Sequence, residues 1–531
     1  MQPSNDALTA QTYRPQWFTN EILTDLIGWI SRDSSTPGET ITARAPYDLR
    51  PTAEIPTSTP ADVREAVDRA RVAQKQWAAT SFVKRRDIIL AFHDLLVGEQ
   101  DRGLDLIQWE TGKARFNAWQ EIAQVATIAR HYARKGQTYL ADNKVRGMVP
   151  MLTKVREVRV PKGVVGIISP WNYPLYLGSG DVVPALIAGN AVVSKADSQT
   201  ALTLLWARAL MARAGLPADL WQIVVGAGSV VGHELIESVD YICFTGSTQT
   251  GRRVGEQAGR RLIGASLELG GKNPLIVRAD ADLAKAATGV VASAFANTGQ
   301  MCISIERVLV HEDVYDAFKV ELTDRIRSQK LAQTYDYSAD IGSLTSTDQL
   351  DAVTAHVNDA VAKGATVVAG GKPRPDIGPL CFEPTVLENV TPEMAVYAEE
   401  TFGPLVSLYR FSNDEEAVRL ANEGTYGLSA SVWSRDSAAA ERVALQLRAG
   451  AVNINDGAAA AAGSIEAGMG GMGDSGLGRR HGAEGIRKYT ESQTLAEQRL
   501  MELGVPAKST TEKFVAMTNQ QLKLMRRLKV R

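Results

Sequence analysis

One cysteine, Cys302, stands in the stretch Phe295-Ala-Asn-Thr-Gly-Gln-Met-Cys-Ile-Ser304, where a helical pattern gives way to an apolar run over 303–310. Small and polar residues precede it, and Gly299 lets backbone approach a ligand because no Cβ intervenes. A thiol placed there can face a cleft and act as a nucleophile; the plainer reading is a small buried hydrophobe. Cys243, within Tyr-Ile-Cys-Phe, and Cys381, before Phe382, read as structural. Four other stretches carry candidate chemistry. In Ser169-Pro-Trp-Asn-Tyr-Pro174, prolines fix a loop on which the Asn172 amide could donate to a developing oxyanion, or simply form a turn. In Ser194-Lys-Ala-Asp-Ser198, Lys195 at a strand end suits a phosphate or ribose, or is an ordinary solvated lysine. Phe244-Thr-Gly-Ser-Thr-Gln-Thr-Gly251 opens a helix, whose N-terminus attracts phosphate. In Leu267-Glu-Leu-Gly-Gly-Lys-Asn-Pro274, Glu268 lies between apolar residues, where desolvation would raise its pKa and suit a general base; the alternative is a carboxylate that caps the turn.

The elements that must position these residues follow from pattern and length. A chain of 531 residues exceeds one core and should divide into two or three domains. With 44% hydrophobic and 22% charged residues it has the composition of a soluble globular protein, and a net charge of −2 gives no global case for nucleic acid or anionic membrane. Three cysteines argue against a disulfide framework and for a reducing compartment, so a cytoplasmic location is expected. Residues 1–20 lack the apolar region of a secretory leader, and no ~18-residue apolar run predicts a membrane span.

The periodicity predicts helices over 19–30, 61–79, 81–100 and 104–140, with a loop rich in Ser, Thr and Pro at 31–60. Over 163–277 strands and helices alternate, which implies a parallel sheet covered by helices, with ligands beyond the carboxyl ends of its strands. A second alternation runs from 275 to 454, and Cys302 lies early in it. Charge-interleaved valines between 148 and 160 and a strand-like piece at 488–494 predict a small sheet used in oligomerisation. The glycine-dense segment 463–485 reads as a loop folding over a site. The tail, 507–531, is basic and amphipathic; it reads as a packed or solvated helix, with surface attachment to anionic lipid as the sharper alternative.

Taken together, Pro170-Trp-Asn-Tyr-Pro174, Phe244-Thr-Gly-Ser-Thr248, Leu267-Glu-Leu-Gly-Gly271, Gly299-Gln-Met-Cys302 and Glu400-Thr-Phe-Gly-Pro404 resemble the aldehyde dehydrogenase superfamily, over about 55–494. The resemblance implies an α/β fold with two Rossmann-like domains with parallel sheets and a small oligomerisation sheet. It assigns 1–147 and 162–272 to cofactor binding, 273–462 to catalysis and 148–161 with 486–497 to the arm, leaving 498–531 as the tail. It implies that Cys302 attacks the aldehyde, that Asn172 and the Cys302 N–H hold the oxyanion, that hydride passes to a nicotinamide, and that Glu268 activates water against the thioester. Trp171, Asn172, Lys195, Ala196, Asp197, Ser198, Gly246, Ser247, Leu269, Glu400 and Phe402 match cofactor-binding positions, and no metal is expected. A homodimer or homotetramer acting on a small aldehyde is implied.

Many NAD-using relatives carry Glu where this chain has Ser198; without that charge, Lys195 could pair with a 2′-phosphate, so NADP is expected, with NAD as the lesser alternative. Asp197 opposes this if it points inward. Local wording such as Cys302-Ile-Ser-Ile-Glu-Arg307 is similar to a branch of NADP-dependent succinate-semialdehyde dehydrogenases, but the positions of that substrate's carboxylate-binding arginines are Gly180 and Ala296 here. The readings that remain are oxidation of succinate semialdehyde, oxidation of a less polar aliphatic or aromatic aldehyde, and a non-catalytic structural protein on the same fold. Glu268 favours water over coenzyme A as the acyl acceptor.

Overall fold

The computed structural model describes residues 13–33, 35, 38–147, 153–498, 504–506 and 509–529. The expectations for 1–12, for the start of the arm at 148–152, and for 499–503, 507–508 and 530–531 of the tail lie outside the described residues. Contacts divide the chain into two compact units, Met1–Tyr139 with Pro161–Thr490, and Leu140–Val160 with Glu491–Arg531.

The first unit holds two large sheets. In the six-stranded sheet the order is Gly476–Leu477, Gly264–Glu268, Tyr241–Thr245, Val164–Ile168, Ala191–Ala196, Trp221–Val225. All neighbours pair in parallel except Gly476–Leu477. The inner strands are buried along almost their whole length, which is why they read as continuous apolar runs without alternation. Helices such as Pro60–Ala78, opened by a capping box at Thr59, and Ala201–Arg213 cover this sheet. The seven-stranded sheet runs Thr366–Ala369, Thr385–Glu388, Leu405–Phe411, Ile305–His311, Asn273–Val277, Ser429–Trp433, Ala451–Ile454, with Thr366–Ala369 as its antiparallel edge. Its core is aliphatic and aromatic, with Val308, Val310, Phe318 and Leu322 fully buried.

Several boundaries differ from the sequence reading. The 31–60 stretch contains a hairpin, Thr40–Arg44 against Pro51–Pro56. Its prolines suggested a loop, but Pro51 and Pro56 lie at strand ends, and Ile55 is completely buried. The helix expected over 104–140 is two, Gln100–Thr111 and Arg115–Tyr139, broken where Gly112 adopts φ +75°. Glu268 ends a strand rather than sitting in a loop, and Pro174–Ser179 is a short helix. The glycine-dense segment includes the helix Gly482–Arg487 and the two-residue strand beside Glu268.

The second unit contains a three-stranded sheet in the order Thr490–Gln498, Thr153–Pro161, Asn143–Arg146, one strand more than the pattern suggested. It also contains the helix Thr511–Arg527, whose Val515, Met517, Leu522, Leu524 and Met525 are exposed, as is Leu528 just beyond it. No described helix is long and apolar enough to cross a membrane.

Gly476 closes the edge of the six-stranded sheet at φ +127°, where a Cβ would lie 1.9 Å from the Leu267 carbonyl oxygen. Gly476→Ala is therefore expected to destabilise the protein by roughly 2 kcal/mol or more and to lower activity, read as a reduced thermal midpoint. An unchanged midpoint would contradict the tight closure.

Candidate active site

The helix Leu283–Ala294, capped by Asp282, delivers the chain to a 3₁₀ turn, Ala296–Gly299. Asn297 and Thr298 there adopt left-handed conformations, φ 51° and 57°. Strain of this kind persists only where neighbours enforce it. Asn297 N–H donates to Asn117 Oδ1 (3.1 Å), Thr298 Oγ1 donates to Gly342 O (3.1 Å), and Gln300 Oε1 accepts from Thr345 N–H (3.0 Å). Gly299 follows at φ +72°, with room for no side chain, since a Cβ would fall 2.0 Å from Gly403 O. Past this turn, Asn273 Nδ2 donates to the carbonyls of Cys302 (2.8 Å) and Ser304 (2.7 Å). The cysteine is thus held by a strained turn on one side and by the seven-stranded sheet on the other.

Asn172 is fixed from both faces. Its carbonyl accepts from Lys113 Nζ (2.6 Å) and Asn297 Nδ2 (3.0 Å), and its own Nδ2 donates to Gln300 O (3.0 Å), leaving one amide hydrogen over. Lys113 is paired with Glu121 at 2.7 Å, both side chains fully buried, and Glu121 also accepts the backbone N–H groups of Leu175 and Tyr176.

Glu268 ends its strand opposite Thr245, and its carbonyl accepts from Gly246 N–H (3.1 Å). Its Oε1 is buried without a partner. Burial pushes its pKa up to about 7 against the pull of the Arg480 and Lys488 cations. Cys302, Glu268 and Asn172 line one cavity of about 750 Å³, together with aromatic and aliphatic side chains such as Tyr173, Leu177, Ile303 and Trp433. Cys302 is half-buried because it borders this space, yet the packed wall still desolvates the sulfur. Burial pushes the thiol up to about 12, with the Glu400 and Glu268 carboxylates adding to the effect. The resting sulfur is therefore protonated and needs a base, and Glu268 titrates where it can serve as one. Cys243 and Cys381 are buried elsewhere.

The remaining expected residues sit at strand ends of the six-stranded sheet or face it from the 400–402 loop. Lys195 is 8% exposed, and burial lowers its pKa while Asp197 opposes the shift. Ala196 ends the strand. Asp197 Oδ1 accepts from Gln199 N–H (2.9 Å), so that oxygen is occupied by its own turn, and Ser198 lies within the turn. Gly246 and Ser247 open the helix Thr248–Arg260, with Ser247 Oγ capping Thr250 N–H. The Leu269 N–H donates to Ser475 O (3.0 Å). Glu400 Oε1 accepts from Gly271 N–H (3.0 Å), and burial, then the Glu306 charge, raises its pKa to about 8. Phe402, at φ 53°, meets Trp171 edge-on at 5.7 Å. The backbone N–H groups of Thr401 and Phe402 both donate to Glu306, which is paired with Lys272.

The donor set suits a dinucleotide: a buried lysine at one strand end, hydroxyl groups at a helix opening, and an aromatic pair at the 400–402 loop. The sequence reading missed the supports, Lys113, Glu121, Lys272, Glu306 and Asn273. Their signal was weak, a charge or amide beside glycine or apolar residues, which solvated surface also produces.

A model of the aldehyde dehydrogenase family matches residues 29–495. The chain belongs to the aldehyde dehydrogenase family. It is 52% identical over 452 residues, 85% of this chain and 87% of the relative, to a Mycolicibacterium smegmatis protein provisionally named succinate-semialdehyde dehydrogenase [NADP(+)]. It is similar to the crystal structure of succinate-semialdehyde dehydrogenase from Burkholderia pseudomallei, at TM-score 0.84 and 35% identity, covering 88% of this chain and 96% of that one. It is also similar to Staphylococcus aureus betaine aldehyde dehydrogenase in complex with NAD+, at TM-score 0.84 and 30% identity, covering 92% and 100%. The fold of an aldehyde dehydrogenase, with two parallel-sheet α/β layers, is the one described above.

Because the thiol is held high, alkylation of Cys302 by iodoacetamide in the cofactor-free protein is expected to rise ~tenfold per pH unit up to about pH 9 without levelling. Peptide mapping by mass spectrometry reads it. A plateau already below pH 8 would mean that the sulfur rests as thiolate.

Proposed function

We propose that this aldehyde dehydrogenase oxidises an aldehyde to its carboxylic acid with NADP, and less efficiently with NAD. The observation that carries the reading is the convergence of Cys302, Glu268 and Asn172 on one cavity. Residues 13–139 and 162–272 form the cofactor half and 273–462 the catalytic half; the sheet of Asn143–Arg146, Thr153–Pro161 and Thr490–Gln498, which takes in 143–146 beyond the arm expected from sequence, is the arm of a homodimer or homotetramer in the cytoplasm.

Glu268 takes the Cys302 proton, and the sulfur adds to the aldehyde carbon. The resulting oxyanion is met by the spare amide hydrogen of Asn172 and by the Cys302 N–H, which donates to no other group among the described residues. Glu400, Phe402 and Trp171 would hold a nicotinamide, which would supply the acceptor for the hydride that leaves the carbon with its two electrons. The acyl group is then a thioester on Cys302. Glu268, having passed its proton to solvent, draws a proton from water; the C–O bond forms, the C–S bond breaks, Glu268 returns the proton to the leaving sulfur, and the acid departs. Lys195 and Ser198, with Ala196, Asp197, Gly246, Ser247 and Leu269, hold the dinucleotide. The absence of an acid at Ser198 and the self-bonded Asp197 oxygen support a 2′-phosphate beside Lys195.

The names of the Mycolicibacterium and Burkholderia relatives supply succinate semialdehyde as the substrate. A second reading, a less polar aldehyde, is supported by the apolar cavity wall and by Gly180 and Ala296 at the two expected arginine positions. The cavity's other cations have carboxylate neighbours: Arg480 lies 2.9 Å from Asp181, and Lys285, with 79% of its side chain exposed, lies 3.7 Å from Asp282.

Two measurements test this. Turnover efficiency with NADP is expected to exceed that with NAD by about tenfold, the order of one charge-assisted contact; an advantage for NAD would overturn the cofactor assignment. Efficiency with succinate semialdehyde set against butanal, hexanal and benzaldehyde decides the substrate. A preference for the acidic aldehyde upholds the first reading and a preference for the neutral ones the second, whereas no oxidation of any of them would sink the activity itself.

A further inference from the structure

Arg480 is 7% exposed and lies in the cavity wall that holds Cys302 and Glu268. It comes from the glycine-dense segment, and no motif pointed to it. Its guanidinium is anchored twice. One terminal nitrogen donates to Thr245 Oγ1 and lies 2.9 Å from Asp181 Oδ2, an ion contact in which that oxygen accepts no hydrogen bond among the described residues. Thr245 is the register partner of Glu268 on the adjacent strand, so the cation is fixed one strand away from the base. Asp181 is itself pinned, by Lys488 Nζ at 3.0 Å and by the Tyr489 hydroxyl at 2.7 Å. Arg480 and Glu268 form no ion pair with each other among the described residues, yet each keeps one buried polar atom without a partner, Nε and Oε1. Buried polar atoms are rarely left unmatched, and two in one cavity wall mark a place for a polar guest such as water.

We propose that Arg480, tethered by Asp181 and Thr245 so that it cannot close onto Glu268, is the positioning residue that keeps the base open to water during thioester hydrolysis. The inference rests on the reading of Glu268 as that base. A direct salt bridge would occupy the carboxylate and remove it from the reaction; a cation held back by a second carboxylate favours the ionised form while leaving its oxygen available. The other groups acting on Glu268 are Lys488 and Arg479, which favour its ionised form, and Asp181, which opposes it; Tyr176, Tyr241 and Cys302 also feel its charge. Burial of Glu268 is the largest influence and acts against ionisation.

The sign of the consequence follows. Glu268 must be ionised to draw a proton from water, so hydrolysis rises with pH through its pKa. Removing Arg480 raises that pKa; removing the Asp181 charge lowers it. The test is the pH profile of steady-state acid release after the initial burst of reduced cofactor, with the best aldehyde of the panel, in the full-length protein. Arg480→Gln is expected to move the rising limb to higher pH by about one unit, a roughly fivefold loss at pH 7 that approaches tenfold below pH 6. Asp181→Asn, which also frees Arg480 to close onto Glu268, is expected to move it to lower pH and to lower its plateau, and Arg480→Lys to return it close to the original position. Opposite shifts from the two partners of one ion pair are not produced by loss of packing. Should Arg480→Gln fail to fold, the Asp181→Asn and Arg480→Lys profiles decide the matter. Shifts in the same direction, or a uniform drop in rate with the limb in place, would overturn the proposal. Glu268→Gln separates the two levels: if that variant keeps the limb, Glu268 is not the base, and the underlying reading falls with the inference.

Discussion

Desolvation of ionisable groups around one cavity governs this structure. Burial raises the Cys302 thiol, the Glu268 carboxyl and the Glu400 carboxyl together, to about 12, 7 and 8. A thiol this reluctant to ionise is quiet at rest, while a carboxyl that titrates near neutrality can accept its proton. Cys302 and Glu268, the proposed nucleophile and base, therefore belong to one electrostatic unit, and neither would behave this way in water. The raised values oppose the folded state's preference for charge, so the rest of the protein must hold these groups where they are.

That holding is done by buried polar pairs behind the cavity wall. Lys113 and Glu121 fix the Asn172 loop from the helical layer, and Lys272 and Glu306 fix the 400–402 loop from the seven-stranded sheet. Asn273 ties the cysteine's own carbonyl to that sheet. Pairs with so little exposure add less to stability than they cost in desolvation unless every partner is satisfied. Here they are bonded to backbone groups of the site loops, so their contribution is register: each loop has one place to sit.

Legibility in the sequence followed burial and rigidity. The parallel strands were plain because burial on both faces leaves long apolar runs, and Cys302, Glu268 and Asn172, which line one cavity, stood out as candidates because glycine and proline flank them. The hairpin at Thr40–Arg44 and Pro51–Pro56 was obscured by prolines that turned out to lie at strand ends, and the helix break at Gly112 by continuous apolar spacing on either side. Arg480, Asp181 and Lys113 were illegible for a different reason. A charged residue declares itself in sequence only as charge, and its burial is a tertiary fact, created for Arg480 and Asp181 when segments some three hundred residues apart meet, and for Lys113 when the helix Arg115–Tyr139 packs against the Asn172 loop.

The chemistry attributed to this site is a covalent relay in which an acyl group rests on one sulfur until one carboxylate activates water. The most direct measurement is the intact mass of the Glu268→Gln protein after mixing with aldehyde and NADP. The account predicts a stable mass increase equal to the acyl group, mapped to Cys302 and absent from a Cys302→Ser protein. An unmodified Glu268→Gln protein that nonetheless releases acid at the rate of the unaltered enzyme, or an adduct on any other residue, would contradict it.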